Sequence, residues 1–178
     1  MYKVYPKIIL ACLLLVMTGT VYSQRVTQTI NDGWKFSLFE GDASTADFDI
    51  SGWTDVSIPH TWNAKDADDE IPGYFRGKGW YRKVVAVEEL IPEQRVYLSF
   101  EGANQETNVF VNGTFVGNHK GGYSAFTFDV TDYVHAGRNL IAVSVDNSHH
   151  PDIAPLSADF TFFGGIYRDV YLVYTSPV

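Results

Sequence analysis

One carboxylate in this sequence has unusual neighbours. Asp159 lies in the stretch SADFTFFGG, where three phenylalanines follow it within four residues and no Lys or Arg is adjacent. A charge in apolar surroundings is costly unless hydrogen bonds satisfy it. Sugar hydroxyls are suitable donors, and a polar anchor among aromatic rings is typical of a carbohydrate site. From the residues alone two interpretations stay open: Asp159 binds a sugar, or it forms an ion pair with distant Arg168 or Arg76.

The histidines are weaker candidates for chemistry. His149, His150 and Asp152 in SHHPD resemble a metal cluster, but adjacent side chains on an extended backbone point in opposite directions and cannot readily bind one ion. A solvated loop is the favoured interpretation, and we expect no metal or other cofactor. His60, in PHTWN, has no nucleophile or carboxylate at motif spacing and is expected to be structural.

Four tryptophans could also stack on sugar rings, because an indole presents a flat apolar face. They are Trp34, Trp53, Trp62 and Trp80. Each stands beside strand-like residues, so a place in the hydrophobic core is the favoured interpretation for all four.

The segments that must position these residues are mostly β-strands. After Gln24, apolar residues recur with period two, and no stretch keeps helical spacing for three turns. Candidate strands are RKVVAV (82–87), RVYLSF (95–100), NVFV (108–111), TFVG (114–117), AFTFDV (125–130), LIAVSV (140–145) and RDVYLVY (168–174). The alternation predicts buried faces made of Val96, Leu98 and Phe100 and of Ile141, Val143 and Val145. Short antiparallel strands about ten residues apart indicate an all-β sandwich or jelly roll.

One turn is marked by its sequence. Asn112-Gly113 between two apolar runs is a strong signal for a two-residue β-hairpin, since both turn residues need positive φ. The predicted register pairs Val111 with Thr114, Phe110 with Phe115 and Val109 with Val116.

Two segments resist assignment to strands. They are NAKDADDEIPGYFRGKG (63–79) and NSHHPDIAPLSADFTFFGG (147–165). Loops of this length in a compact domain are usually functional or disordered, and their aromatic content argues against disorder. Both are therefore predicted to be functional loops.

The first residues predict export. An apolar run from Ile8 to Met17 follows two lysines, which is typical of a secretory signal peptide (1–23) and too short for a membrane span. Cleavage after Ser23 would leave 24–178 as a single secreted or periplasmic domain. Cys12, inside the apolar run, is the only cysteine, so the mature chain could form no internal disulfide.

The overall charge narrows the range of partners. With a formal net charge of -8 at pH 7, the chain is poorly suited to nucleic acid, anionic membranes or polyanionic glycans. A neutral ligand or a protein partner fits better.

Five motifs, taken in order, resemble one family. They are NDGWKFSLFEGD, WTDVSIPHTWN, YFRGKGWYRK, LSFEGANQETNVFVNGTFVGNHKGGYSAFTFDVT and FFGGIYRDVYLV. They resemble the N-terminal sugar-binding domain of glycoside hydrolase family 2, which includes β-galactosidases, β-glucuronidases and β-mannosidases. The resemblance covers Thr29 to Tyr174, and its style is nearest to exported β-galactosidase-like members.

The resemblance implies a galactose-binding-domain-like jelly roll that is followed, in the family, by an immunoglobulin-like domain and a (β/α)₈ barrel with both catalytic glutamates. A barrel needs about 250 residues, so this chain is expected to hold no catalytic residue and to be inactive alone. The complete enzyme would be a retaining exo-β-glycosidase. Two alternatives stay open: a free-standing carbohydrate-binding module or lectin-like domain, and a purely structural domain.

The resemblance also implies site residues. In galactosidase members a carboxylate just before the GIYR-type motif contacts the non-reducing sugar, and Asp159 holds that position relative to Gly165–Arg168. The loop before GWYR reaches the same site, often with an Asn, where this chain has Tyr74 or Arg76. A β-linked galactoside-type glycone is expected, although Arg76 would favour an acidic or substituted sugar. Residues 109–131 are expected to form the central hairpin and its flank, without touching sugar.

Overall fold

The computed structural model describes residues 25–66, 73–157 and 160–176. Within them the chain forms ten strands and one short 3-10 turn at Thr131–Tyr133. The strands are β1 (Arg25–Thr29), β2 (Trp34–Leu38), β3 (Thr54–Val56), β4 (Lys78–Val87), β5 (Arg95–Phe100), β6 (Glu106–Val111), β7 (Thr114–Lys120), β8 (Phe126–Asp129), β9 (Gly137–Asp146) and β10 (Val170–Thr175). The predicted all-β composition is confirmed.

The strands form two antiparallel sheets around one core. A four-stranded sheet has the order β1-β10-β5-β8, and a six-stranded sheet has the order β3-β2-β4-β9-β6-β7. Buried residues from both sheets, such as Leu98 and Leu172 from one and Tyr81 and Val143 from the other, belong to a single hydrophobic cluster. This is the predicted sandwich of the jelly-roll type.

Period-two alternation explains which side chains enter that core. The residues predicted to face inward, Val96, Leu98, Phe100, Ile141, Val143 and Val145, are all at most 1% exposed. Each such side chain contributes about 1.5 to 3 kcal/mol by leaving water. Trp34 is also fully buried and donates its indole N–H to the Ile30 carbonyl at 2.7 Å.

Three strands near the start of the described chain were not predicted. β1 is exposed along its whole length and β3 has only three residues, so neither shows a usable alternation. β2 carries WKFSL, in which only Trp34 is fully buried. These segments become strands because β1 pairs with β10, and β2 pairs with β3 and β4.

The Asn112-Gly113 hairpin forms, but its register and position differ from the prediction. Both turn residues have positive φ, 52° and 81°, as the turn requires. Val109 pairs with Gly117 rather than Val116, because the register shifts between Val109 and Phe110. The Phe128 ring of the opposite sheet packs closely against the backbone at Gly117, and an added Cβ there would lie 2.4 Å from it. The register shift therefore places a glycine where a side chain would clash. The hairpin also lies at the edge of the six-stranded sheet, not at its centre.

The segment between β2 and β3 covers the outer face of the six-stranded sheet. Ala43 packs there on Trp80 and Ala142, with Phe48 and Trp53 beside them. Trp80 donates its indole N–H to the Gly41 carbonyl at 3.0 Å. The core interpretation is therefore confirmed for Trp34 and Trp80, while Trp53 and Trp62 are only half-buried against the core clusters.

His60 is a structural residue, as expected. Its Nδ1 lies 2.8 Å from the Tyr81 hydroxyl inside the sandwich. Burial lowers the pKa of the His60 imidazole and raises the pKa of the Tyr81 phenol. Burial is also the main cause of a lowered pKa at His119, which stacks on Phe126 at a centroid distance of 4.1 Å.

Because of these lowered histidine pKa values, we expect the domain to lose stability as pH falls below about 6.5. In that window the unfolded chain binds more protons than the folded chain, so the free energy of unfolding rises with pH. His60→Gln should make the slope shallower, leaving the contribution of His119. Urea unfolding between pH 7.5 and 5 measures the slope, with exposed His135→Gln as the control. Identical slopes for His60→Gln and the parent chain would contradict the expectation.

Candidate functional site

The two segments predicted to be functional loops meet at one end of the sandwich, and two buried asparagines join them. Asn63 belongs to the first segment, and Asn147, directly after β9, begins the second. Both side chains are buried. The Asn147 Nδ2 donates to the Asn63 Oδ1 at 3.3 Å. We call this pair the asparagine hub.

Asn63 fixes the first segment against the second. Its Nδ2 donates to the Phe75 carbonyl at 2.8 Å and to Asp66 Oδ2 at 2.6 Å. Its Oδ1 accepts a hydrogen bond from the Gly164 backbone N–H at 2.6 Å. The Asp66 carboxylate also accepts from the Phe75 backbone N–H at 2.8 Å. The backbone at 75 and at 164 is therefore held by the same amide.

Asn147 completes the hub. Its Oδ1 accepts from the Gly77 N–H at 2.8 Å, and its Nδ2 donates to the carbonyls of Phe162 at 3.0 Å and Phe75 at 3.2 Å. Phe75 and Gly77 flank Arg76, so both peptide neighbours of that arginine are anchored. Phe162 is anchored by the same amide.

An arginine packed among aromatic rings lies on this anchored backbone. The Arg76 guanidinium carbon is 5.2 Å from the ring centre of Tyr74 and 5.0 Å from that of Phe162. Phe160, whose ring centre is 5.3 Å from that of Phe162, is 53% exposed. We call these four residues the arginine-aromatic cluster. The structure thus brings together Tyr74 and Arg76, two of the predicted site residues.

The chemistry of this cluster is that of binding. Within the described part of the chain, Arg76 forms no ion pair, and its buried Nε has no hydrogen-bond partner. A guanidinium held over ring faces keeps its charge and its N–H donors. It can therefore donate to sugar oxygens or to a carboxylate, while the rings supply an apolar wall.

Trp62 packs between the hydrophobic core and the second loop. Its ring is nearly parallel to that of Phe36, with centroids 5.8 Å apart. A Cβ on Gly164 would lie 2.2 Å from the Trp62 ring, so only glycine lets the second loop approach so closely. Trp62 is therefore positioned as a packing residue.

A shallow aromatic cleft adjoins the cluster through Phe160. Its volume is about 210 Å³, and its lining is Asn104, Tyr123, Phe160, Thr161, Phe163 and Tyr167. Tyr123 is 52% exposed, and the Tyr167 hydroxyl donates to the Gly122 carbonyl. Neither tyrosine was predicted from the sequence as a candidate site residue. The only signal for Tyr123 was its place after Gly121-Gly122 in a turn between two predicted strands.

The other residues singled out from the sequence lie outside the cluster or outside the described chain. Asp159 lies outside the described residues, so its role stays a prediction. Arg168, one proposed ion-pair partner, lies over the Tyr167 ring at 5.8 Å. His150 accepts a hydrogen bond from the Asp152 backbone N–H at 3.2 Å through Nδ1. Across residues 25–66, 73–157 and 160–176, no group of three or more His, Cys, Asp or Glu could hold a metal ion.

Two antiparallel sheets enclose a shared core, and a half-buried arginine packs among aromatic rings on anchored loops at one end. This is an architecture suited to a ligand-binding β-sandwich domain. The sequence profile described as "Glycosyl hydrolases family 2, sugar binding domain" matches residues 27–177. The chain therefore belongs to this family, as its motifs suggested.

Individual relatives agree with this assignment. The chain is 38% identical over 166 residues to a beta-glucuronidase of Bacteroides fragilis, covering 91% of this chain and 22% of that protein. It is 41% identical over 157 residues to a beta-galactosidase of Thermoanaerobacter pseudethanolicus, covering 83% of this chain and 19% of the relative. The crystal structure of a Bacteroides uniformis beta-glucuronidase matches with a TM-score of 0.78 and 46% identity over 86% of this chain and 18% of that one.

The chain thus spans about a fifth of the length of these relatives. In the described residues, none of the secondary structure is a helix long and apolar enough to cross a membrane. The family and the fold together define a sugar-binding domain, and the relatives that contain it are longer proteins.

Proposed function

We propose that this chain is the non-catalytic N-terminal domain of an exo-acting family 2 β-glycosidase and that it lines the subsite for the non-reducing sugar. The observation that carries this proposal is the arginine-aromatic cluster on loops joined by the asparagine hub. Its rings supply stacking surface, and the Arg76 guanidinium, which forms no ion pair among the described residues, supplies donors; such groups bind a sugar without reacting with it. Asp159 is the second sugar contact in this proposal, by its place in the family motif.

The hydrolysis would come from a part of the protein outside this chain. Since the chain covers about a fifth of its relatives, the proposal includes a following immunoglobulin-like domain and a barrel. Two carboxyl groups in that barrel, about 5 to 5.5 Å apart, would act as acid/base and nucleophile of a retaining mechanism. Export by a signal peptide at 1–23, which lies outside the described residues, belongs to the same proposal.

Two classes of glycone are candidates. A galactoside-type sugar is the expectation from motif style, and relatives named beta-galactosidase are consistent with it. A sugar acid is the second candidate, because Arg76 offers a cationic donor where a carboxylate would gain most. Relatives named beta-glucuronidase are consistent with it.

Arg76→Gln in the longer enzyme tests both the subsite and the glycone. For a p-nitrophenyl β-glucuronide we expect kcat/KM to fall about 10- to 100-fold, since a hydrogen bond to a charged group contributes about 1.5 to 3 kcal/mol. For the matching β-galactoside we expect a fall of only about fivefold, or about 1 kcal/mol, because Gln still offers an N–H donor to a neutral hydroxyl and no pair of opposite charges is lost. The control is Arg95→Gln, which removes an exposed arginine paired with Asp129 at 3.1 Å on the other sheet.

Melting temperatures of the same preparations separate binding from folding. An unchanged melting temperature with reduced kcat/KM supports the subsite. Unchanged kcat/KM on both substrates would exclude Arg76 from it, and a large loss of stability with normal activity would make the cluster structural.

Binding measurements on the isolated chain distinguish this proposal from a free-standing carbohydrate-binding module. One loop wall offers few contacts, so the isolated chain should bind monosaccharides with a Kd of about 1 mM or weaker. It should also hydrolyse no aryl β-glycoside above background. Micromolar binding by calorimetry would favour the module, and turnover that copurifies with the chain would contradict the proposal.

A further inference from the structure

Four cations line one open cleft on the six-stranded sheet, away from the loop end. They are Lys35 on β2, Arg82 and Lys83 on β4, and Arg138 on β9, and the cleft volume is about 390 Å³. Gly33, Ile50, Val84 and Leu140 complete the lining. We call this the basic cleft. It collects four of the 13 Lys and Arg residues of a chain whose net charge is -8, so it is a local departure from the acidic character of the protein.

Arg82 is the buried member of the cleft and is incompletely paired. It is only 3% exposed. Its two terminal nitrogens donate to the carbonyls of Phe48 at 3.4 Å and Ala46 at 3.5 Å, which are long for hydrogen bonds. Its Nε has no partner among the described residues. A buried, unsatisfied donor on a cation is costly, and an anion in the cleft would relieve that cost.

The acidic groups near the cleft leave positive charge uncompensated. Lys35 pairs with Asp55 at 2.8 Å, but the Asp55 side chain is 78% exposed, and such surface pairs contribute little. Lys83 donates to the backbone carbonyl of Asp32. Burial lowers the pKa of the Lys83 ammonium, and the nearby Asp32 carboxylate partly offsets this, so Lys83 has an acidic neighbour.

Two other charged residues, Asp47 and Arg138, also affect the net charge of the cleft. Exposed Asp47 is close enough to Arg82 for the positive charge to help lower the pKa of its carboxyl, after hydrogen bonds from Thr45 and its own backbone. Arg138 is exposed and has no ion pair in the part of the chain that the structure describes. It therefore adds a cation that no nearby side chain neutralises.

We propose that the basic cleft binds an oxyanion, either the carboxylate of a sugar acid or a sulfate group. Guanidinium groups match the paired oxygens of such anions. Lys35, which pairs with Arg82 across β2 and β4 and shares its face of the sheet, adds charge at the rim. Val84, which is 47% exposed, pairs with Leu140 across β4 and β9 and gives an apolar floor for the carbon skeleton of a sugar. This site is separate from the proposed glycone subsite and does not depend on it.

Calorimetric titration of the chain tests the proposal with two probes, sodium glucuronate and sodium sulfate. Sodium chloride keeps the ionic strength constant, because screening would otherwise change the apparent affinity. We expect a Kd of about 1 mM. Arg138→Gln should weaken binding about tenfold, as expected for one charge-assisted hydrogen bond. Lys35→Gln should weaken it in the same direction.

Two control variants separate the cleft from other effects. Arg25→Gln removes the same charge from an exposed position on β1 of the other sheet and should leave both affinities unchanged. Arg76→Gln removes glucuronate binding at the glycone subsite, and the binding that remains should still depend on Arg138, which distinguishes the cleft from that subsite.

The outcomes assign the anion or exclude the site. Binding of both probes, or of glucuronate alone, with the Arg138 dependence supports a site for sugar-borne anions. Binding of sulfate alone with that dependence supports a site for sulfate. No binding up to 20 mM of either probe, which is about twenty times the expected Kd, would overturn the proposal. So would affinities that Arg138→Gln and Lys35→Gln leave unchanged.

Discussion

Replacing Asn147 by alanine is expected to lower the free energy of unfolding by about 3 to 4 kcal/mol. Asn147 is fully buried, and its amide satisfies the Gly77 N–H and the Phe162 carbonyl. Alanine cannot replace either bond, and each buried group left without a partner costs about 1 to 3 kcal/mol. Because the same amide joins the two loops, the arginine-aromatic cluster should lose its fixed geometry as well.

Urea unfolding of Asn147→Ala and Asn118→Ala measures this effect. Asn118 is a matched control, since its exposed amide also donates three hydrogen bonds, to Glu106, the Thr107 carbonyl and Asn108. Water can replace those bonds, so Asn118→Ala should cost less than about 1 kcal/mol. Equal losses of unfolding free energy in the two variants would show that burial does not determine how much the Asn147 amide stabilises the domain.

Gly165→Ala is expected to destabilise the domain by at least about 3 kcal/mol. Gly165 has φ +115°, and an added Cβ would lie 2.6 Å from both the His60 carbonyl oxygen and the Tyr81 hydroxyl. An L-residue at this φ costs about 1 to 2 kcal/mol, and forcing atoms into a packed core costs about 1 to 3 kcal/mol more. Backbone hydrogen bonds hold the chain in this position: the His60 N–H donates to the Ile166 carbonyl at 2.8 Å, and the Asn104 N–H donates to the Gly165 carbonyl at 3.0 Å.

Gly137→Ala is the control that separates backbone strain from crowding. Gly137 also has a positive φ, +91°, but nothing lies within 4 Å of an added Cβ. Its cost should be about 1 to 2 kcal/mol, the backbone contribution alone. Thermal and urea unfolding of both variants give the comparison. A Gly165→Ala cost no greater than that of Gly137→Ala would mean that the surrounding groups can move aside.

Strand prediction succeeded for β5, whose alternate residues enter the core, and failed for the exposed β1. β2 was also missed, although WKFSL alternates and Trp34 and Phe36 pack in the core. RVYLSF was predicted as 95–100 and forms β5 with those bounds, since alternate residues enter the core. β1 is an edge strand with every residue exposed, so its sequence carries no alternation to detect. The hairpin turn was predictable from Asn112-Gly113, whose backbone needs are local. The pairing of Val109 with Gly117 was not, because Phe128 on the opposite sheet decides it.

Only part of the candidate site was predictable from the sequence. Loop length, aromatic content and family motifs were enough to select 63–79, 147–165, Tyr74 and Arg76. They said nothing of the asparagine hub, because Asn63 and Asn147 are 84 residues apart in sequence. Asn63 ends the motif WTDVSIPHTWN, but nothing in that motif pairs it with Asn147. The basic cleft was hidden for the same reason, since its cations come from three different strands.

By itself, then, the amino-acid sequence determined the all-β class, the family, the Asn-Gly turn and the loops that carry the candidate site. These follow from local backbone preferences and from which side chains must leave water, which are properties of short segments. Only the tertiary structure decided the edge position of the hairpin and the anchoring of Arg76 between Phe75 and Gly77. It alone also grouped Lys35, Arg82, Lys83 and Arg138 around one cleft. Those features depend on contacts between residues distant in sequence, and such contacts exist only once the two sheets have packed together.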